Sequence, residues 1–124
     1  MPFRFEGLEV FQLAIGYARM SYQLTKTFPR EEMFGLTTNL RRASTSIALN
    51  IAEGAGRGTR KDFMHFVDVA MGSLFETVAS FILAERLGYV DCRDLNQVRD
   101  RAALLGRKLN SFKKSLAAPK ADKP

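Results

Sequence analysis

From Leu95 onward the apolar residues fall at Val98, Ala102, Leu105, Leu109, Phe112 and Leu116, in alternating steps of three and four. A strand, with its period of two, cannot put these side chains on one face, whereas a helix can. A stripe this narrow is the seam of a helix that packs lengthwise against other helices, as in a coiled coil. Asp91 is placed to cap this helix at its start, and Gly88 is the natural residue to end the one before it. The chain must therefore supply partner helices of comparable length.

Three upstream segments answer that requirement. Leu8 to Thr27 carries Leu8, Phe11, Ile15, Ala18 and Tyr22 at helical spacing, with Val10, Ala14, Tyr17 and Leu24 widening the face, and it stops before Pro29. Glu31 and Glu32 suit a first helical turn, Gly35 interrupts it, and Thr37 re-caps a second helix whose apolar stripe is Leu36, Leu40, Ala43, Ile47 and Ile51. Beside it runs a polar stripe, Asn39, Arg42, Ser46, Asn50, Glu53 and Arg57. Gly54, Gly56 and Gly58 are expected to supply the positive φ values that end this helix, and Thr59 with Asp62 caps the next. The third helix, Lys61 to Leu87, spreads its Phe, Met, Val and Ile residues over an arc of about 180°, wider than the usual stripe of about 100°. Nothing reads as a strand.

With 124 residues there is room for one domain. The expected fold is all-α, an up-down-up-down antiparallel four-helix bundle over residues 1–116, with 117–124 as a flexible tail. No apolar run reaches the roughly 18 residues of a membrane span, and the N-terminus has no signal-peptide core, so a cytoplasmic protein without a membrane partner is expected. The wide arc, together with Phe3 and Phe5, leaves more apolar surface than so small a bundle needs, which points to a homo-oligomer.

The catalytic and ligand-binding classes find little support. Cys92 is the only cysteine and His65 the only histidine, too few ligands for a zinc site, and no metal or cofactor is expected. GAGRG at 54–58 follows a helix instead of a strand and lacks the Gly-Lys-Ser/Thr ending, so it reads as a terminator and turn, not a phosphate cradle. His65 falls on an outer face, and Cys92 at a helix start has no His or second Cys beside it. The chain is accordingly expected not to be an enzyme.

Charge is more informative. Nineteen Lys and Arg against thirteen Asp and Glu leave +6. The surplus is regional: residues 91–124 carry nine basic and four acidic residues, while 62–90 carry one and four. Arg57, Arg60 and Lys61 form one basic cluster at the turn between the second and third helices, and Arg107 and Lys114 mark a competing one on the fourth. Without exposed aromatic platforms, contact with RNA or DNA would be made mainly to phosphates and be weakly sequence-specific. The other reading is a structural or protein-interaction module whose charge only keeps it soluble. The polar stripe of the second helix, with Arg42, Asn50 and Glu53 partly buried, suggests an inter-helix network reaching Glu76.

The stretch FGLTTNLRRASTSIALNIAEGAGR at 34–57, with LEVFQLAIGYA before it and DFMHFVDVAMGSLFE after it, resembles the 23S rRNA intervening-sequence protein family along nearly the whole chain. The sequence is similar also to accessory variability proteins of diversity-generating retroelements. The resemblance implies a small bacterial cytosolic four-helix bundle with no established catalytic activity. The second likeness implies a pentamer that binds nucleic acid and a nucleic-acid-processing partner, a reverse transcriptase. The family-motif positions are Arg41, Arg42, Asn50, Glu53, Gly54, Gly72, Ser73 and Glu76.

Overall fold

In the computed structural model, residues 2–118 are described. Four helices carry the fold: α1 Glu9–Thr25, α2 Thr38–Ala55, α3 Arg60–Arg86 and α4 Cys92–Ala117. The described residues contain no strand. Cross-contacts fix the directions. Lys108 meets Glu9 and Arg101 meets Gly16, Arg41 meets Thr25, Ser46 meets Ser73, and Lys113 meets Asp68. Each sequential pair is thus antiparallel, and α4 returns beside α1, which is the expected up-down-up-down bundle.

The caps follow the chemistry read from the sequence. Thr59 accepts the Asp62 N–H at 3.0 Å. Asp91 accepts the Asp94 N–H at 2.8 Å while the Asp94 carboxylate accepts the Asp91 N–H, a reciprocal box. The Asp94 N–H holds the Asp91 carboxyl below the usual carboxylate range. Gly88 ends α3 with φ +82°, the left-handed conformation that favours glycine. Thr37 does not re-cap α2: its own backbone is helical and its side chain makes no cap bond, while Glu32 caps the preceding turn, Met33–Thr37, by accepting the Leu36 N–H at 3.2 Å. The backbone does leave the helix at Phe34 and Gly35, as expected.

Gly54, Gly56 and Gly58 do not have positive φ. Gly54 is needed for a different reason. It lies buried in α2, where a Cβ would stand 2.7 Å from Cδ1 of Phe63 and 2.9 Å from Cβ of Phe66. The absent side chain lets α2 and α3 close upon each other at this point.

The α4 seam is buried from Leu95 through Leu109, with Phe112 and Leu116 packed against its end. Leu74 and Leu105 are both core residues. On α1, by contrast, Val10, Ala14, Tyr17, Met20, Ser21 and Thr25 go inward, while Ile15 and Tyr22 remain 45% and 44% exposed. The buried stripe is the neighbour of the leading one expected, because three hydroxylated residues complete it. α3 also needs a correction: it includes an 18-residue stretch apolar enough, by length and composition, for a membrane span. Here it is a bundle helix that buries Val67, Ala70, Leu74, Thr77, Phe81 and Ala84. The helical part of α4 reaches Ala117, and the expectation of a flexible tail falls mostly on residues 119–124, outside the described residues.

Candidate functional site

Most of the basic residues singled out above gather at one end of the bundle. There α2 ends, α3 begins, α1 begins and α4 ends. Arg60, in the first turn of α3, donates from Nη2 to the Ser115 carbonyl at 2.7 Å, near the C-terminus of α4. A cation on those final carbonyls complements the negative end of the helix dipole. The contact sets Lys61 and the α2–α3 turn against the helix end bearing Lys114, so the two clusters share one pole. Arg107 lies two turns before Lys114 on the same face of α4, about 10 Å along the axis.

These cations differ in how far they are committed. Arg57 Nη2 lies 2.8 Å from Glu53 Oε2 and its guanidinium stacks 4.7 Å above the Phe66 ring, which holds it on the α2–α3 face. Lys108 pairs with Glu9 at 3.3 Å, and Lys113 with Asp68 at 2.7 Å. Among the described residues, Lys61, Arg107 and Lys114 have no carboxylate within 4.0 Å. They are the charges at this pole best able to meet an external anion.

The polar stripe of α2 forms a ladder against α3. Arg42 Nη2 approaches Glu76 Oε2 at 3.8 Å, Ser46 donates to Ser73 Oγ at 2.6 Å, and Asn50 donates back to the Ser46 carbonyl at 2.8 Å. Of the three residues expected to reach across, only Arg42 does so, at Glu76, with Ser46–Ser73 as the second cross-helix contact; Asn50 bonds within α2 and Glu53 pairs with Arg57 beside it. The network is more open than expected: Arg42 and Glu76 are both more than half exposed, so their pair contributes under about 1 kcal/mol. Gly72 lies on the outer face of α3 with open space where a Cβ would be.

Arg41 belongs to a different set, one that the sequence pattern does not reveal. Its Nε donates to Thr25 Oγ1 at 2.8 Å and its guanidinium lies 4.8 Å from the Tyr22 ring centroid. Thr25 in turn donates to the Ser21 carbonyl at 2.8 Å, and Ser44 donates to Ser21 Oγ at 2.7 Å. Across the core, Tyr17 and Thr77 are 2.7 Å apart. Thr77 directs its proton to the Leu74 carbonyl at 2.6 Å, so the phenol donates to Thr77. Burial pushes the Tyr17 phenol up to about 12. Among the described residues no buried side-chain N or O lacks a partner. Ser21 and Thr25 were legible in principle, since they extend the Val10, Ala14, Tyr17 stripe by four-residue steps.

His65 is exposed and meets the Phe66 ring edge-on, and Cys92 is exposed at the first turn of α4. Among the described residues no group of three or more His, Cys, Asp or Glu side chains could hold a metal ion.

No curated protein matches the chain. A crystal structure of a protein of unknown function from the S23 ribosomal protein family of Bacteroides thetaiotaomicron, at 1.70 Å resolution, superposes with a TM-score of 0.76. It is 22% identical in sequence, and the match covers 85% of this chain and 95% of that one, a likeness of fold. The model of the 23S rRNA-intervening sequence protein family matches residues 6–111. That match takes in α1, α2, α3 and most of α4, with the α2–α3 ladder and the Arg41 clamp, and the chain belongs to the 23S rRNA-intervening sequence protein family.

Proposed function

We propose that this chain is a non-enzymatic helical bundle that works as a homo-oligomer and binds nucleic acid through phosphate oxygens at the pole where α2 meets α3 and α4 ends. The observation that carries the reading is the Arg60–Ser115 contact, which puts two basic groups far apart in sequence on one end of the molecule. Lys61, Arg107 and Lys114 there are exposed or partly exposed and have no carboxylate within 4.0 Å among the described residues. The family's name associates it with ribosomal RNA genes, which makes RNA the first ligand to try.

Assembly would multiply the effect. Five subunits, the number implied by the likeness to accessory variability proteins, would turn a charge of +6 into about +30 and repeat the pole around a ring. A nucleic-acid-processing protein would then find its substrate held on the ring. Base-specific recognition is not part of this reading, because Lys61 and Lys114 are single side chains near helix ends and Arg107 one on the side of α4, with no groove-reading element beside them.

The test is retention of single- and double-stranded RNA and DNA across a salt series. The wild type is expected to bind at low salt, with log affinity falling linearly against log salt. Replacing Lys61, Arg107 and Lys114 by Gln should flatten that slope by about 0.9 for each B-DNA phosphate no longer neutralised, and by about 0.7 for each phosphate of a single strand, with helicity unchanged. Absence of retention at low salt would end the proposal in favour of a protein-interaction module, the reading that the exposed apolar surface supports.

A further inference from the structure

The α1–α2 connection presents an aromatic side chain outward from an anchored corner. Phe34 is 95% exposed, with the half-exposed Met33 beside it. The backbone under them is tied down. Glu32 accepts the Leu36 N–H at 3.2 Å and the Tyr89 hydroxyl at 2.9 Å, and Thr38 donates to the Met33 carbonyl. Phe28 packs on the Tyr89 ring at 5.4 Å, so this corner is joined to the turn between α3 and α4. A ring held in water by a corner with this many anchors is pre-organised for an apolar site elsewhere.

Such a site lies between α3 and α4. A groove of about 410 Å³ is lined by Leu74, Val78 and Ile82 on one side and by Ala102 and Ala103 on the other, with room for an aromatic ring. Phe75 at its rim is 65% exposed. The charged residue in its lining is Arg99, which has no carboxylate within 4.0 Å among the described residues. The corner offers the opposite sign next to its ring: Glu31 is exposed and has no cation within 4.0 Å among the described residues. Residues 119–124, PKADKP, contain no large apolar side chain.

We propose that the α3–α4 groove receives the α1–α2 corner of a second copy of this chain, with Phe34 inserted and Glu31 facing Arg99. The proposal rests on the oligomeric reading above and deepens it by naming the surfaces. Because knob and groove are different surfaces of one chain, the contact can repeat head-to-tail, and it closes a ring where the rotation between successive copies returns to the first. A guanidinium over the inserted ring adds a cation–π contact to the ion pair.

The experiment is sedimentation of the full chain at micromolar concentration, with far-UV circular dichroism as the check on folding. Phe34→Ala and Ala103→Trp alter exposed positions and should both leave helicity intact. Each variant alone should sediment as a monomer, one lacking the knob and the other having the groove blocked. Mixed, they keep a single competent seam and should form a one-to-one dimer that cannot grow. Glu31→Arg and Arg99→Glu should each weaken the wild-type assembly at least tenfold, and the double variant should restore it. If the wild type is an oligomer whose mass neither Phe34→Ala nor Ala103→Trp changes, the groove assignment is wrong while the oligomeric reading stands. A monomeric wild type refutes both.

Discussion

Between α1 and α2 buried hydroxyls are matched across the interface: Ser44 donates to Ser21 and Arg41 to Thr25, which is itself tied to the Ser21 carbonyl within α1. Between α3 and α4 the small residues are Ala102, Ala103 and Gly106, which bring no hydrogen bonds across, and the middle of that interface stays open as an apolar groove. Only its end is shut, by the edge-on pair Phe63 and Phe112 and the Lys113–Asp68 bridge. The two interfaces are both assembled from helices of the same bundle. They differ because a buried hydroxyl has to be matched by a particular partner, which fixes both register and distance, whereas an alanine accepts whatever approaches it. The matched seam is finished within one chain, and the other has apolar surface left to offer.

The matching of buried hydroxyls can be tested first at Tyr17, which donates across the core to Thr77 on α3. The Tyr17 phenol, neutral in the core, is raised from its ordinary 10.0 to about 12. The unfolded chain ionises near 10, so the stability this group contributes is complete below that pH and is lost as the pH rises toward 12. The loss reaches about 3 kcal/mol for two pKa units. Tyr17→Phe should remove that part of the alkaline decline, measured by denaturant melts from pH 8 to 12. A decline equally steep in the variant would mean that the phenol is not held in the core.

Two further substitutions make the same chemical change in opposite settings. Gly54→Ala would push a Cβ to 2.7 Å from the Phe63 ring at the tight α2–α3 crossing. A destabilisation of about 1–3 kcal/mol is expected from overpacking. Gly106→Ala, on α4, would place its Cβ 3.6 Å from Leu74 Cδ2, an ordinary contact. There the helix should gain roughly 0.5–1 kcal/mol, because alanine loses less backbone entropy than glycine. Melting temperatures moving in the same direction for both would erase the distinction between a closed interface and a loose one.

The candidate site was legible as residue types and less so as an arrangement. Arg57, Arg60 and Lys61 announce a basic turn, and Arg107 with Lys114 a basic helix face, but only the Arg60–Ser115 contact makes them one pole. Arg57, the first of the cluster, is held by Glu53 and Phe66. Phe34 reads in the chain as an ordinary apolar residue at the start of the second helix, because nothing in a linear pattern distinguishes a ring that enters the core from one displayed on a corner.

What the order of residues determined by itself is local. Four helices, their caps at Thr59 and Asp91, the stop at Gly88 and the inward seam of α4 all follow from interactions three or four residues apart, and these are written directly in the chain. The tertiary structure decided what depends on distant atoms. α1 carries two adjacent stripes that could each serve as a core face, and the bundle buried the one whose Ser21, Thr25 and Tyr17 find Ser44, Arg41 and Thr77. Gly54 is spaced like a helix terminator, yet its role is set by two phenyl rings from α3. A hydroxyl's partner and a glycine's neighbour lie on other helices, so periodicity along one helix could not name them.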